Sequence, residues 1–523
     1  MSVQPASVRL RALMLFVGVA LAVLSFQTLT GVWTSDIGSD PDEPAHAVTS
    51  LMVRDYLVTG YPQSPMSFAR QYYEDFPKVA LGHYPPGYYA LAALVLLAWD
   101  QPQVLLVLQA LLVAGLSMLV FWVGRRMLRE RAALAAALLC AGFPITLKLS
   151  QLIMADLLLA CLCLLSVEIW ARFLEKPRAG MALLFGFTAA AAILTKGSGL
   201  ALALIPAVSL VGAGRWALLK KPAFWLAGLP VVVMAGPWML YSTGITREGM
   251  VSTSALSFAW GALKYYPFTL SSTFGLATAM IALGGLAVWL GFTQVKVQPD
   301  VRRTALLGLL LGTVLIMLLI PAGYSSRYFM PLVPVVALLA VSFFEVTLRR
   351  TRLAVPACFS LALLVWMQAP GLLVKNVSGY RSAVLKALDG GLPELQSHWL
   401  VCADARGEGA VIASAAFALK ERSPSPLRIH RGTKALAKSD WLGRDYQATF
   451  GTADEMRAWL DKAEITHVFI DYAPQGTEAS AHEKLLIQAL ADLSSWTLEH
   501  ETATTRPHQA APGRLAVFVR RSL

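Results

Sequence analysis

Apolar runs separated by short polar breaks fill the chain as far as about residue 375, where the pattern changes. Stretches close to the roughly 20 residues that cross a bilayer lie at 11–30, 102–124, 131–149, 153–174, 181–195, 197–213, 223–241, 268–292, 304–321, 328–347 and 353–374. Each is expected to be a helix. Lys196-Gly197 interrupts 181–213 as a tight turn would, leaving two spans. The segment Gly87–Trp99 is apolar but short, and it follows Pro85-Pro86. It reads as an interfacial or re-entrant helix. About 11 transmembrane helices result.

Basic residues set the orientation. The clusters Arg125/Arg126/Arg129/Arg131, Arg172/Lys176/Arg178, Arg215/Lys220/Lys221, Lys296/Arg302/Arg303 and Arg349/Arg350/Arg352 all fall on the N-terminal side of this scheme. Loops rich in lysine and arginine stay in the cytoplasm, so the N-terminus is expected there and the C-terminal region outside. Counting Gly87–Trp99 as a span would put the four-arginine loop outside and invert every later loop. Arg9 and Arg11 precede the first apolar run without a clear cleavage site after it, which suits an uncleaved first span.

From 376 to 523 the pattern is that of a soluble domain. His398–Cys402, Thr466–Tyr472 and Leu515–Arg520 read as strands, and Phe450–Ala463 and Ala481–Leu493 as helices. The expected fold class is therefore a mainly α polytopic membrane protein with a C-terminal soluble α/β domain on the outer face. Its parts are a transmembrane domain, 1–375, and the α/β domain, 376–523. Within the first, 31–99 is a long outer loop with juxtamembrane helices and 242–267 a second large outer loop.

Composition agrees. Charged residues make up 15% of the 523 and hydrophobic ones 56%, where a soluble domain carries about 25% charged. That excludes a disordered tail, a disulfide-built module and a plain cytosolic enzyme. The net charge of +12 (44 Lys+Arg less 32 Asp+Glu) is spread over inter-span clusters, which is membrane topology and not a nucleic-acid face. Cys140, Cys161, Cys163 and Cys358 lie in apolar runs and Cys402 stands alone in the polar region, with no metal-ligand spacing and no expected disulfide.

The candidate chemistry collects on the outer side. Asp42-Glu43-Pro44-Ala45-His46 carries carboxylates and a proline where a helix would start, and helical spacing would bring either acid near His46. Acidic capping of a surface helix is the simpler account of the same residues. His83 and Tyr84 open the apolar helix at 85–99, where an interfacial aromatic belt explains Tyr88 and Tyr89 but does not require His83. Asp156 stands at the outer start of one span, where it could merely face water, and Lys196 at the outer end of another, where snorkelling is the default. Arg327 and Tyr328 open a span from outside, against the usual arginine bias, as phosphate recognition would require. Acids, histidines, a lysine and an arginine at one membrane face suit chemistry on an anionic lipid head group.

In order and spacing these motifs resemble the GT-C type lipid-dependent glycosyltransferases, which include protein O-mannosyltransferases and aminoarabinose transferases acting on lipid A. The resemblance rests on Asp42-Glu43, His83-Tyr84-Pro85-Pro86-Gly87-Tyr88-Tyr89, Met154-Ala155-Asp156, Leu194-Thr195-Lys196-Gly197, Pro237-Trp238 and Ser326-Arg327-Tyr328-Phe329-Met330-Pro331, over roughly residues 10–350. It implies transfer of a sugar from a polyprenyl-phosphate donor to a lipid, protein or glycan acceptor. It further implies Asp42 as base, Glu43 and Asp156 beside it, and Lys196, Arg327, Tyr328 and Tyr84 on the donor phosphate. Where relatives carry Glu-Lys-Pro near a metal or the phosphate, this chain has His83-Tyr84-Pro85. A divalent cation is thus the one cofactor to consider, with His83 and His46 as its candidate ligands.

A polyprenyl phosphate leaves readily once cations hold its oxyanion, and a carboxylate can take the proton of the attacking acceptor. A single displacement inverts the anomeric carbon, and inversion is the outcome expected, largely from the resemblance. The rival reading is a transporter or flippase of lipid-linked sugars, whose mark would be ionisable residues at mid-membrane. Glu168 and Glu345 lie instead toward the cytoplasmic ends of their spans. An outer face without disulfides suits the periplasmic side of a bacterial inner membrane, with membrane lipids as surroundings and no nucleic acid as partner.

Overall fold

The computed structural model describes residues 6–61, 63–80, 82–292, 300–372, 375–389, 397–421, 425–439, 445–472, 479–491, 495–507, 509 and 511–521. Packing divides the chain into two units. One comprises 1–29, 82–88 and 106–372, and the other 30–81, 89–105 and 373–523.

The first unit is helical. Ala6–Leu29, Gln103–Gly124, Asp156–Glu175, Pro222–Glu248, Val301–Leu319, Ser326–Thr347 and Ala354–Gly371 are each long and apolar enough to cross a membrane. Two further pairs pass the same test together while bending sharply. Glu130–Gly142 and Pro144–Ser150 meet at 56°, and Ala255–Phe274 and Leu276–Trp289 at 111°. The causes are local. Pro144 lacks the N–H that would continue the ladder and pushes Phe143 to extended backbone (ψ 139°). Gly275 adopts φ 81°, which only glycine takes without strain. Seven to nine spans are therefore supported by length and composition among the described residues. The runs expected at 181–195 and 197–213 are the shorter apolar helices Ala179–Thr195 and Gly197–Ala213, the second opening with a 3-10 turn over Gly197–Ala203. Gly87–Ala98 is likewise short, at 12 residues. Residues 242–267 are helical apart from 249–254.

Small residues let these helices approach. Gly308 and Gly312, one turn apart on Val301–Leu319, face Ile205 and the Ala201 carbonyl so closely that a Cβ at either would collide with backbone. Charges at the helix ends are paired. Glu168 accepts from Arg302 at 2.9 Å and from Arg172 at 2.8 Å, Arg302 also reaches Glu175 at 2.5 Å, and Glu345 binds Arg129 at 2.6 Å. Glu168 and Glu345, near the ends of their helices, are thus both held in ion pairs.

The second unit is built on an α/β sheet. Its strands β1 (Ser397–Cys402), β2 (Leu427–Arg431), β5 (Ile465–Tyr472), β6 (Trp496–Thr504) and β7 (Gly513–Arg520) run in the order β2-β1-β5-β7-β6, while β3 (Ala437–Lys438) and β4 (Gln447–Ala448) form a separate pair. β2, β1 and β5 are parallel, and β7 and β6 join antiparallel. Alternation along β1 feeds two cores. Trp399 and Val401 point into one and Leu400 and Cys402 into the other. The second core takes helices Ala453–Lys462 and Ala481–Leu490 through Met456, Leu460, Leu486 and Leu490. The first is covered by Ala410–Ala416 together with Val48, Leu51, Phe68, Tyr72 and Phe76, so residues of the early loop share a core with the C-terminal sheet.

Candidate functional site

Within the helical unit, two helix ends bring opposite charges together. Asp156 is the first residue of Asp156–Glu175, where the amide dipoles favour a carboxylate. Lys196 caps the C-terminus of Ala179–Thr195 in extended conformation (φ −159°, ψ 138°), where they favour a cation. The lysine Nζ donates to Asp156 Oδ1 at 2.6 Å, and both side chains are almost fully buried. Lys196 also lies 5.3 Å from the centroid of the Tyr328 ring, a cation–π contact. Tyr328 is fixed by its hydroxyl, which donates to the Ala322 carbonyl at 2.9 Å. Beside it, Arg327 reaches Met154 Sδ at 3.4 Å, two residues before Asp156. The other oxygen of Asp156, Oδ2, has no hydrogen-bond partner among the described residues although it is buried.

Four of the expected residues thus stand in one place: Asp156, Lys196, Arg327 and Tyr328. His83 is exposed and Tyr84 half-buried; the His83 ring faces Gly249. Just after them Tyr88 is buried and accepts from Gln109 Nε2 at 2.9 Å, which in turn donates to the Met154 carbonyl.

Asp42, Glu43 and His46 belong to the other unit. Asp42 is the N-cap of Glu43–Val58, with Pro44 in the first turn. Its carbonyl takes the His46 N–H at 2.9 Å, as helical spacing requires. His46 Nδ1 lies 3.0 Å from the Tyr89 hydroxyl. Glu43 is wholly buried, with Oε2 accepting from the amides of Gly38 (3.0 Å) and Ser39 (3.2 Å) and Oε1 paired with Lys375 at 2.8 Å. Nothing in the sequence pointed to Lys375, which is 332 positions away from Glu43 (375 − 43).

Near Asp42 the electrostatics are unusual. Burial draws the Lys78 ammonium down to about 8, although Glu408, Asp42 and Asp404 oppose the shift. Its Nζ donates to the Ala405 carbonyl at 3.2 Å.

Comparisons with known proteins bear on the fold. The family model of dolichyl-phosphate-mannose-protein mannosyltransferases matches residues 83–241. ArnT of Cupriavidus metallidurans, solved with undecaprenyl phosphate, superposes with a TM-score of 0.60 over 97% of both chains at 13% identity. The chain has the GT-C glycosyltransferase fold. The archaeal oligosaccharyltransferase AglB of Archaeoglobus fulgidus, solved with an inhibitory peptide and dolichol-phosphate, gives a GT-C match of 0.57 over 95% of this chain and 80% of its own, at 13% identity. No curated protein matches by sequence. The matched range includes the positions of His83, Tyr84, Asp156 and Lys196.

Proposed function

We propose that this chain is an integral-membrane glycosyltransferase. It moves a sugar from a polyprenyl-phosphate-linked donor to an acceptor in lipid A, protein or an envelope glycan, at the periplasmic face of a bacterial inner membrane. The observation that carries the reading is the buried Lys196–Asp156 pair beside Arg327 and Tyr328, set in a GT-C fold.

Desolvated cations bind a phosphate strongly, because no water competes for them. Lys196 and Arg327 would hold the donor phosphate and stabilise the charge that grows on it as the glycosidic bond breaks. Tyr328 keeps the lysine in place, and Tyr84 would line the phosphate. Asp42, at its helix start, would take the proton of the acceptor during a single inverting displacement. Glu43 would act as a positioning residue: its carboxylate fastens the Gly38–Ser39 turn that leads into Asp42. Asp156, with one open oxygen, would orient the acceptor or steady Lys196. His46 and His83 do not form a three-ligand cluster of metal type among the described residues.

The test is transfer of radiolabelled sugar from polyprenyl-phosphate donors by purified protein in lipid, with Asp42→Asn beside wild type. Candidate acceptors are supplied in turn and released polyprenyl phosphate is followed. Turnover by the wild type, lost by about 10²–10⁴-fold in a folded Asp42→Asn that still binds donor, is the expected result. Unchanged turnover in the variant would remove Asp42 as base, and absence of donor binding by wild type would sink the transferase itself.

A further inference from the structure

We propose that Cys402, His482 and Glu483 form a binding site for a divalent transition-metal ion of the zinc type in the C-terminal α/β layer. The inference is independent of the transferase reading.

The sheet order sets the place. The chain leaves β1 for β2 on one side and later returns to β5 on the other, so β1 and β5 are neighbours whose connections run in opposite directions. Beyond the carboxyl ends of two such strands an open α/β sheet has a crevice, where ligands bind. Cys402 is the last residue of β1. His482 and Glu483 lie in the first turn of Ala481–Leu490, the helix that follows β5. The fold thus brings three metal-type ligands to its crevice from positions 80 residues apart (482 − 402).

The geometry is close to that of a coordinated ion. One ligand atom from each residue lies within 4.8 Å of the other two. In a tetrahedral site with bonds of about 2.0–2.3 Å, such atoms stand about 3.3–3.7 Å apart. Side-chain rotations of about 1 Å would close the difference. Cys402 and His482 are buried and Glu483 is half-buried, which leaves a route for the ion. A thiolate, an imidazole and a carboxylate suit zinc or cobalt, whereas calcium and magnesium prefer oxygen alone.

The surroundings support coordination. His482 Nδ1 lies 2.9 Å from the Tyr446 hydroxyl and 3.0 Å from Ser480 Oγ, either of which can accept its proton. Nε2, which lies 3.5 Å from Ser480 Oγ, would then be the ligating nitrogen, an arrangement usual for metal-bound histidine. Glu483 Oε2 accepts the Ser480 amide at 2.7 Å, so this carboxylate is oriented while its second oxygen is left to ligate. A thiol gives up its proton when it ligates, so binding one divalent ion releases that proton to solvent.

The experiment uses the full chain in lipid nanodiscs, stripped with chelator, reloaded with zinc and dialysed. The expected result is one zinc per chain, with a melting temperature that rises with zinc concentration. Cys402→Ser and His482→Ala should lose both. Cobalt in place of zinc should give a thiolate-to-cobalt charge-transfer band that Cys402→Ser abolishes. Tyr446→Phe guards against simple misfolding: it should melt like wild type without metal yet bind zinc about 10–100-fold more weakly. His83→Ala should keep its zinc. No retained zinc in wild type, equal zinc in Cys402→Ser, or loss of zinc in His83→Ala would each overturn the site.

Discussion

Two buried lysine–carboxylate pairs, one in each unit, show how differently the same two groups can be used. Glu43 has both oxygens engaged, by two backbone amides on one side and Lys375 on the other. Asp156 has Lys196 on one oxygen and no partner for the other among the described residues. A fully satisfied pair returns part of its desolvation cost in fixed geometry and offers no opening to a ligand. A half-satisfied pair keeps that cost outstanding, and a ligand can relieve it. Burial alone does not separate the two, since all four side chains are nearly or wholly buried. Partner count does.

The largest effect should come from breaking the filled pair. Lys375→Met strands the Glu43 charge, so it should lower stability by about 3–5 kcal/mol in thermal or denaturant unfolding. An unchanged midpoint would show that Glu43 does not depend on its lysine. The half-filled pair should respond in activity instead. Replacing both of its members, as Asp156→Asn with Lys196→Met, removes the charges together and should leave stability within about 1 kcal/mol of wild type. Sugar transfer should nevertheless fall about 10²–10³-fold. Full activity in that double variant would erase the distinction between the pairs.

A third buried carboxylate sharpens the contrast more gently. Asp75 accepts a backbone bond from Ser425, and burial raises it to about 6 despite the attraction of Arg428. The folded chain binds this proton more tightly than the unfolded one, whose value is near 3.8. The cost of ionising it is therefore absent below about pH 4, grows toward pH 6 and is complete above that. Asp75→Asn should stabilise the protein by about 1–2 kcal/mol at pH 7 and by almost nothing at pH 4. A gain independent of pH would assign the effect to packing.

The helical unit was largely readable because its rule is one-dimensional: an apolar run of sufficient length is a helix wherever it lies. Asp156 and Lys196 stood out for the same reason, as charges at the edges of such runs. The bends at Phe143–Pro144 and Gly275 were hidden inside 131–149 and 268–292, since the apolar pattern passes through both without a break. Strands β1, β5 and β7 were legible from β-branched and aromatic runs. β2 was not, because Leu427–Arg431 is half basic, and β6 was not, because the alternation of Trp496–Thr504 is mostly exposed. The partners Glu43–Lys375 and Cys402–His482–Glu483 are set by tertiary folding across 332 and 80 positions, and spacing rules address neither.

The shared core of the early loop and the C-terminal sheet has a consequence for biogenesis. Val48, Leu51 and Phe68 leave the ribosome long before Trp399 and Val401, with which they share that core. At about 5–20 residues per second, the interval is roughly 17–70 s, during which the apolar loop waits without its sheet. Holding chaperones would have time to act on it. For the same reason a truncated clone beginning at residue 376 would be a poor route to the α/β layer, because the apolar face normally sealed by the loop would be left bare and prone to aggregate. The first loop made has its apolar face covered only once the last-made part of the chain has arrived.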